Sequence, residues 1–574
     1  MTDLAGASPI VFFDLQPEVD CGRFPVKRCL GDVLRVEVDI VADGHDVLAG
    51  DLLWREVGTK SWHETPLGLL GNDRWGASFQ ISALTTYEYT VNAWIDDFGT
   101  WLHGFERKLE AGQVVTLEAQ AGQALLRSVL ERIPKASHTK IQRVMTQLDK
   151  ANTQLKKTLT VLHQGDFVRL MRTHGPRTGQ HEYGRVLQVI AQPPLARFGA
   201  WYEMFPRSAA STPGKHGTLR DVEARLPYVQ SMGFDVLYLP PIHPIGQTHR
   251  KGKNNTLQVK AGDVGSPWAI GSAEGGHTAI HADLGSMKDL RSLVRAARAR
   301  GIEIALDIAF QCSPDHPWVK EHPEFFKRRV DGSIQYAENP PKKYQDIYPL
   351  NFHSSSRVAL CEALTEVVLH WVRAGIRVFR VDNPHTKPLF LWEYLIAKVR
   401  KEEPQAIFLA EAFTRPKLKY ALAKVGFDQG YTYFTWRQTP EEMRAYVTEL
   451  FHTSVHEFFC PNFWPNTPDI LPEHLQSGGR PAFMMRLVLA GTLSASYGIY
   501  GPAFELCENK PMHLGSEEYL HSEKYEIRTW DLNRVDSLRY FIARLNAIRK
   551  EHAALHDNRG LRFHGMSNDR ILLF

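Results

Sequence analysis

GIRVFRVDNPHTKP, residues 375–388, begins as an apolar segment and ends in charged residues and prolines. Its β-branched and aromatic side chains, such as Val378, predict a buried strand. Arg380 and Asp382 follow on one face, because side chains two residues apart in a strand point the same way. Burying two charges is costly unless they pair or serve a site. Taken alone, the stretch fits a solvent-facing Arg–Asp pair and a functional site equally well.

Two further strands lead to carboxylates. AIFLAEAF, residues 406–413, reaches Glu411, and the aromatic stretch FFCPNFWPNTPD, residues 458–469, ends in Asp469. The carboxyl ends of parallel strands meet at one face of a barrel, where active sites are built. The three carboxylates together therefore favour a polar site at the mouth of a parallel barrel over an isolated surface ion pair.

Strand and helix patterns alternate beyond Pro193, which predicts a (β/α)8 TIM barrel over residues 186–555. Residues 311–351 are too long and too rich in Pro, Asp and Lys for a simple loop, so we expect an inserted B subdomain after the third strand. The predicted barrel strands are FGAWYEMF, FDVLYLPPI, IEIALDIAF, IRVFRVD, AIFLAEAF, YTYFTW, FFCPNF and SASYGIYG. Helical patterns include DVEARLPYVQSMG, MKDLRSLVRAARARG and VALCEALTEVVLHWVRAG.

The rest of the chain predicts a multidomain protein. Short alternating segments over residues 1–117, ending with TWLHGFERKL, favour an immunoglobulin-like β-sandwich. Helical spacing then predicts a helical insert and linker over residues 118–185. Within it, GDFVRLMRTHGPRTGQHEYG fits either a return to the β domain or a linker. Residues 556–574 end in an apolar run, ILLF, so we expect the start of an incomplete, apparently truncated C-terminal β domain.

Composition argues against several classes of protein. The net charge is +4, with 68 Lys and Arg against 64 Asp and Glu, which gives no electrostatic case for nucleic acid or an anionic membrane as a partner. The 6 cysteines form no CxxC pair, and the histidines lack HExxH-like spacing, so no disulfide framework or metal site is expected. Without a signal-peptide pattern or a run of roughly 20 apolar residues, the sequence predicts a cytoplasmic protein.

The three carboxylates fit retaining glycoside chemistry, in which one carboxylate attacks the anomeric carbon and a second serves as acid and then base. Arg380 supplies the positive charge that would keep Asp382 ionised. Glu411 follows the apolar run IFLA, and such surroundings raise a carboxyl pKa, as an acid/base residue requires. Asp469 adds a third charge for an oxocarbenium-like transition state.

Two basic segments predict a phosphate-binding function. HRKGKNN, residues 249–255, places three cations and two amides in a loop after the second strand, and ENPPKKY, residues 338–344, lies in the inserted segment. Such donors could neutralise a phosphate that three carboxylates would otherwise repel. On composition alone, an ordinary solvated basic loop remains the alternative.

The barrel resembles the α-amylase superfamily (glycoside hydrolase family 13), whose four short regions correspond here to ALDIAFQC, GIRVFRVDN, FLAEAF and NFWPNTPD. This resemblance implies that Asp382 is the nucleophile, Glu411 the general acid/base and Asp469 the transition-state stabiliser, with Arg380 supporting the nucleophile. Three sites depart from general amylases, and one of them is Asn383, the residue after the nucleophile, which is often small in amylases. Gln311–Cys312 stands where an Asn–His pair is usual, and Pro468 stands where a histidine usually precedes the third carboxylate.

A narrower set of motifs, spread over residues 196–528, is similar to the maltose-1-phosphate maltosyltransferase family. This resemblance implies phosphate contacts from Asn339, Tyr344 and Asn383, and places Lys251 and Gln311 near the donor sugar. The motifs are ARFGAWYEMFPRS, GFDVLYLPPIHPIG, RKGKNN, WAIGS, DIAFQCSPDHPW, RVDNPHTKP, AEAFTRPK and GSEEYLHSEKYEIR.

The implied reaction moves maltosyl from α-maltose 1-phosphate to the non-reducing 4-hydroxyl of an α-1,4-glucan, with retention and release of inorganic phosphate. It requires no cofactor or metal, and the resemblance also implies a homodimer formed through the amino-terminal region. Two alternatives stay open from the sequence. One is an α-glucan hydrolase or trehalose-forming isomerase on the same barrel. The other is a catalytically silent amylase-like binding or scaffold protein, which the intact carboxylates disfavour.

Overall fold

The computed structural model describes residues 8–149, 151–340 and 342–574, without the side chains of residues 149, 151–156, 339 and 342. The chain forms two compact units, which meet in sequence between Ala191 and Gln192. In the described residues, no helix is long and apolar enough to cross a membrane.

The first unit contains two β-sheets, ordered β1-β3-β7-β6 and β2-β10-β8-β4-β5, with β9 paired to β8. Leu34, Val36 and Val38 alternate with more exposed residues, as expected of a strand with one buried face. Trp54 and Phe79, from different sheets, stack with ring centroids 4.8 Å apart. The strands are β1 (Ile10–Gln16), β2 (Val26–Cys29), β3 (Val33–Ala42), β4 (Leu48–Glu56), β5 (His63–Pro66), β6 (Gly68–Gly71), β7 (Arg74–Gln80), β8 (Thr86–Asp96), β9 (Arg177–Glu182) and β10 (Leu187–Gln192).

Five helices lie between β8 and β9: α1 (Asp97–Glu110), α2 (Thr116–Val129), α3 (Lys135–Asp149), α4 (Ala151–Leu162) and α5 (Gly165–His174). The prediction that TWLHGFERKL forms a strand is wrong, because these residues lie in α1. Phe98, Leu102 and Phe105 make a buried stripe at helical spacing, and the Asp96 side chain caps the helix by accepting from the Gly99 N–H. The stretch left open at residues 165–184 forms α5 and then β9, which returns to the sheet.

The second unit is a nearly closed parallel barrel of 8 strands, ordered β21-β20-β19-β18-β13-β12-β11-β22. The ring is completed by two backbone hydrogen bonds, from Phe463 N–H to Ser496 O and from Gly498 N–H to Phe463 O, both 3.0 Å. The strands of this unit are β11 (Gly199–Glu203), β12 (Val236–Leu239), β13 (Glu303–Ile308), β14 (Gln311–Cys312), β15 (Ala337–Asn339), β16 (Lys342–Tyr344), β17 (Tyr348–Pro349), β18 (Val378–Val381), β19 (Ile407–Ala410), β20 (Gln429–Tyr431), β21 (Cys460–Asn462) and β22 (Ser496–Tyr500).

The sixth barrel strand differs from its prediction. β20 is Gln429–Tyr431, whereas most of the predicted YTYFTW forms a 3-10 turn at Tyr433–Trp436. Thr432 begins that turn by accepting the Phe434 N–H, and such a side-chain bond offers the backbone an alternative to the sheet. Aromatic and β-branched composition therefore favoured a strand where a threonine cap produces a turn.

The helices predicted from apolar periodicity in the barrel are confirmed. α6 and α7 both begin with reciprocal capping boxes, Thr218 with Asp221 and Ser286 with Asp289. The helices are α6 (Leu219–Ser231), α7 (Met287–Arg298), α8 (Trp318–Glu321), α9 (Arg357–Arg373), α10 (Leu389–Glu402), α11 (Pro416–Lys424), α12 (Pro440–His452), α13 (Glu473–Ser477), α14 (Gly479–Leu493), α15 (Gly501–Glu505) and α16 (Arg539–Glu551).

Two short antiparallel pairs, β14 with β17 and β15 with β16, occupy the segment between β13 and α9. After α16 the chain forms two 3-10 turns and an antiparallel bridge between His564 and Leu573. The predicted domain limits, the B subdomain and the C-terminal β domain stay predictions.

Candidate active site

The barrel brings the predicted carboxylates to the carboxyl ends of its strands. Asp382 directly follows β18 and Glu411 directly follows β19, and the two side chains are almost fully buried. Asp469 lies in the loop after β21 and is partly exposed. Because β18 and β19 are adjacent and parallel, Asp382 and Glu411 leave the sheet side by side.

Arg380 joins the buried carboxylates. Its Nη1 lies 2.8 Å from Asp307 Oδ2 and 2.9 Å from Asp382 Oδ1, and its Nη2 lies 3.1 Å from Glu411 Oε1. All four side chains are buried, so water screens these ion pairs only weakly. The planar guanidinium presents several N–H groups in a fixed fork and can therefore serve three acceptors at once. The Arg–Asp pair read from the sequence is thus part of a buried junction and does not face solvent.

The backbone after the nucleophile candidate is shaped for the same site. Asn383 has a φ of 42°, in the left-handed region that asparagine tolerates better than most residues. This conformation directs its N–H to Glu411 Oε2 at 3.1 Å. Its side-chain Nδ2 lies 3.5 Å from Asp382 Oδ2, so the amide faces the space next to the nucleophile candidate.

The electrostatic surroundings suit Glu411 to proton transfer. Burial raises the pKa of Glu411 against the opposing charge of Arg380, and the negative charges of Asp382 and Asp469 raise it further. The carboxyl group therefore favours its acid form near neutral pH, as a general acid requires. This direction agrees with the expectation from the apolar run that precedes Glu411.

Asp469 has a cationic partner to which the sequence analysis assigned no role. Lys524 Nζ donates to Asp469 Oδ1 at 2.6 Å and lies 5.2 Å from the centre of the Trp268 ring. The signal was present, since Lys524 belongs to the motif GSEEYLHSEKYEIR, but nothing local to that motif points to Asp469. The same segment contacts the basic loop, because His521 N–H donates to Asn254 Oδ1 at 2.8 Å.

Two buried acids near Arg380 also escaped the sequence analysis. Asp307 accepts from Arg380 and from the Tyr238 hydroxyl, and burial raises its pKa. Glu203 ends β11, and burial raises its pKa well above the usual range. Both lie in stretches quoted as family motifs, ALDIAFQC and WYEMF. Only the closed barrel shows that these strands converge on Arg380.

The predicted sugar and phosphate residues lie on several segments. Lys251 is buried. Burial raises the pKa of Asp346, and the nearby positive charges of Lys251 and Lys524 oppose that rise. The basic loop, the inserted segment and the HSEKYE segment therefore converge. Gln311 Nε2 donates to Trp268 O at 3.2 Å. Asn339 and Tyr344 lie in β15 and β16, Tyr344 being half-buried, and the Asn339 side chain is outside the described residues.

Cys312 lies beside two neutral histidines, His277 and His316, whose rings are joined by a hydrogen bond. Trp318 N–H donates to His316 Nδ1 at 3.0 Å, so the neutral ring of His316 carries its proton on Nε2 and donates to His277 Nδ1, also at 3.0 Å. His277 Nε2 then donates to Ala309 O. Burial lowers the pKa of both rings to about 3, which keeps them uncharged. His277, Cys312 and His316 could also form a three-ligand metal cluster, although each ring nitrogen already has a partner.

Comparison with known proteins identifies the family of the chain. A family model described as α-1,4-glucan:maltose-1-phosphate maltosyltransferase, domain N/S, matches residues 8–193, and one described as α-amylase, catalytic domain, matches residues 203–357. An α-1,4-glucan:maltose-1-phosphate maltosyltransferase from Myxococcus xanthus is 49% identical, with 100% of this chain and 87% of the relative covered. One from Chlorobaculum tepidum is 48% identical, with 99% and 85% covered.

Solved structures show the fold. The crystal structure of an α-amylase from Lactobacillus plantarum superposes with a TM-score of 0.50 at 21% identity, covering 65% of this chain and 83% of the amylase. An α-glucosyl transfer enzyme superposes with a TM-score of 0.51 at 16% identity, covering 66% and 88%. Because the sequence relatives match nearly the whole chain, this protein belongs to the α-1,4-glucan:maltose-1-phosphate maltosyltransferase family.

Proposed function

We propose that this chain transfers maltosyl from α-maltose 1-phosphate to the non-reducing 4-hydroxyl of an α-1,4-glucan, releasing inorganic phosphate with retention of configuration. The observation that carries the proposal is the junction at Arg380, which holds Asp382 and Glu411 within 2.9 Å and 3.1 Å of one guanidinium. Family membership supplies the donor and acceptor. This pair of carboxyl groups supplies the chemistry of a double displacement.

In the first half-reaction, an Asp382 carboxylate oxygen attacks the anomeric carbon of the donor. The bond from that carbon to the phosphate oxygen breaks, and its electron pair leaves with the phosphate. Arg380 stabilises the ionised nucleophile, and Glu411, in its acid form, gives its proton to the departing oxygen. Asp469, oriented by Lys524, stabilises positive charge on the sugar ring in the transition state.

In the second half-reaction, the acceptor hydroxyl replaces phosphate. Glu411 is now ionised and takes the proton of the glucan 4-hydroxyl, whose oxygen attacks the anomeric carbon and displaces Asp382. Two inversions restore the α configuration. Transfer in place of hydrolysis requires that bound glucan excludes water from the covalent intermediate.

The donor phosphate needs cationic or amide partners near the nucleophile. We assign it to Asn383, Asn339 and Tyr344, and the donor sugar to Lys251 and Gln311. Support comes from the Asn383 amide beside Asp382 and from the convergence of Lys251 with the inserted segment. These contacts are proposals that rest on the family resemblance and on those neighbours.

The finer architecture is proposed on the same basis. We infer an immunoglobulin-like sandwich from the two sheets of the first unit, a B subdomain from the segment between β13 and α9, and the start of a C-terminal β domain after α16. A cytoplasmic location stays the expectation from the sequence, and a homodimer is what the family resemblance implies. Analytical ultracentrifugation of the purified protein would test the dimer.

The test of function is phosphate release from α-maltose 1-phosphate, with and without maltohexaose, together with the ladder of glucan products. We expect acceptor-dependent release and chains that grow by two glucose units. Asp382→Ala should abolish both, whereas Asp531→Ala, a change at an exposed aspartate, should leave them intact. Release without acceptor, with free maltose as product, would identify a hydrolase. No release under either condition would overturn the assignment in favour of a binding protein.

A further inference from the structure

Glu203 is a buried acid that the proposed mechanism does not use. It ends the first barrel strand with 1% of its surface exposed, and its Oε2 has no hydrogen-bond partner in the described part of the chain. Buried carboxylates normally accept several hydrogen bonds, because an ionised oxygen without a partner loses its hydration without compensation. An orphaned oxygen at the base of an active site therefore requires a physical explanation.

The charges that surround Glu203 are mostly of its own sign. The positive charge of Arg380 favours ionisation of Glu203, whereas the carboxyl groups of Asp307, Asp469 and Glu411 oppose it. The phenols of Tyr238, Tyr431 and Tyr519 lie near enough to interact with it electrostatically. Arg380 already serves Asp307, Asp382 and Glu411 through Nη1 and Nη2. Its Nε is buried without a partner and makes no hydrogen bond to Glu203, so an ionised Glu203 would have no cation in direct contact among the described residues.

Asp307 belongs to the same group of buried acids. Its Oδ2 accepts from Arg380 and from the Tyr238 hydroxyl, and the Trp268 side chain also hydrogen-bonds its carboxyl group. Glu203 Oε2 has no such donors among the described residues. A carboxylic acid is neutral and avoids the cost of an ionised oxygen buried without a partner, so the surroundings of Glu203 favour its protonated form.

We propose that Glu203 is a positioning residue that works as a neutral carboxylic acid, leaving Arg380 to the carboxyl groups of the reaction. This inference rests on the proposed function. A neutral Glu203 adds no negative charge to a site that must admit a phosphate group, and it does not draw Arg380 away from Asp382 and Glu411. An ionised Glu203 would do both, and would also make Glu411 harder to ionise.

The experiment begins with infrared spectroscopy, which separates the C=O stretch of a carboxylic acid from the bands of a carboxylate. The wild type at neutral pH is compared with Glu203→Gln, which has nearly the same shape and cannot ionise. We expect the difference spectrum to contain a carboxylic-acid band lost in the variant. A difference that contains only carboxylate bands would overturn the proposal. If Glu203→Gln does not fold, Glu203→Leu takes its place in the same difference spectrum, and the absence of a lost acid band there counts against the inference.

Kinetics then test the positioning role through kcat/KM for α-maltose 1-phosphate as a function of pH. Glu203→Gln should keep the basic limb at the wild-type pH and should exceed Glu203→Leu by at least about 10-fold, because the amide still donates a hydrogen bond. A basic limb displaced to lower pH by more than about 0.5 unit would mean that Glu203 had been ionised. Equal activity of the Gln and Leu variants would remove the positioning role.

The infrared result does not depend on turnover, so it separates this inference from the proposed function. If Asp382→Ala retains phosphate release, the assignment of the nucleophile fails. The protonation of Glu203 is still tested, because the infrared spectrum is recorded without turnover. If the band is absent while acceptor-dependent transfer is present, the inference about Glu203 fails and the proposed function stands.

Discussion

Replacing Arg380 with methionine removes the cation that contacts three buried carboxyl groups while keeping a side chain of similar length. The contacts measure 2.8, 2.9 and 3.1 Å, to Asp307, Asp382 and Glu411. At such distances each contact is worth about 5–6 kcal/mol in gross Coulomb energy when the carboxyl group is ionised, for an effective dielectric constant of about 20. The sum is not the expected loss, because the isolated carboxylates can take up protons and desolvation already offsets part of the attraction.

We expect the net loss in the free energy of unfolding to be about 3–5 kcal/mol, the usual cost of removing one partner of a buried ion pair. Urea unfolding at neutral pH, followed by tryptophan fluorescence, measures it. The matched control is Arg377→Met, directly before the same strand. The Arg377 guanidinium is partly exposed, with Nε 3.4 Å from Glu403 Oε2, so its loss should cost less than about 1 kcal/mol.

The pH dependence of the deficit provides a second check. Burial raises the folded-state pKa of Asp307 and Glu411, and loss of Arg380 should raise both further. Below the wild-type folded pKa values, both proteins hold these carboxyls protonated, so the deficit in unfolding free energy shrinks. It grows as the pH rises through them. It should therefore be larger at about pH 8 than at about pH 5.

Activity should fall with stability. Without Arg380 the nucleophile loses its stabilising charge, and we expect kcat/KM for the donor to fall at least about 100-fold. A variant as stable as Arg377→Met, with a deficit that does not change with pH, would refute the reasoning. In that case the three carboxyl groups do not depend on the guanidinium.

Three further predictions follow from neighbouring contacts. In the wild type, kcat/KM for α-maltose 1-phosphate should fall as the pH rises through the raised pKa of Glu411, because the ionised form has no proton to give. Glu411→Gln should remove this basic limb of the pH profile and lower kcat by about 10²–10⁴-fold. A basic limb that survives in the variant would mean that a group other than Glu411 causes it. Lys524→Met breaks a partly exposed ion pair with Asp469, so the free energy of unfolding should change by less than about 1 kcal/mol, while kcat/KM falls at least about 10-fold. Activity equal to that of the wild type would show that Asp469 does not need Lys524 to orient it. Asn383→Gly and Asn383→Ala both remove the amide and should raise the KM for the donor by the same factor. Only the alanine variant is strained at a φ of 42°, so only its free energy of unfolding, measured by thermal unfolding, should fall by about 1–2 kcal/mol. An unchanged KM in both variants would exclude Asn383 from the phosphate site.

Features set by local pattern were readable from the sequence. The buried strand before Asp382 and the helices at α6, α7 and α9 follow from apolar periodicity, which is a property of neighbouring residues. The strand-end placement of Asp382 and Glu411 followed for the same reason.

Where local preference was ambiguous, the fold decided. TWLHGFERKL fits a strand by composition, yet Phe98, Leu102 and Phe105 find a buried cluster only as a helix. The sixth barrel strand ends at Tyr431 because the Thr432 side chain accepts the Phe434 N–H and begins a 3-10 turn. The helix depends on packing against residues outside its own segment, whereas the turn is set by a side-chain cap within the segment; both effects override weak propensities.

Most of the electrostatics of the site is decided by the tertiary structure. The sequence by itself determined that Arg380 and Asp382 share a strand face, that Glu411 follows an apolar run, and which family the motifs resemble. Only the closed barrel decided that Arg380 also contacts Asp307 and Glu411, that Lys524 pairs with Asp469, and that Glu203 is buried among them. The reason is physical: charge interactions and desolvation depend on distance and burial in space, and residues far apart in the chain acquire both only when the barrel closes.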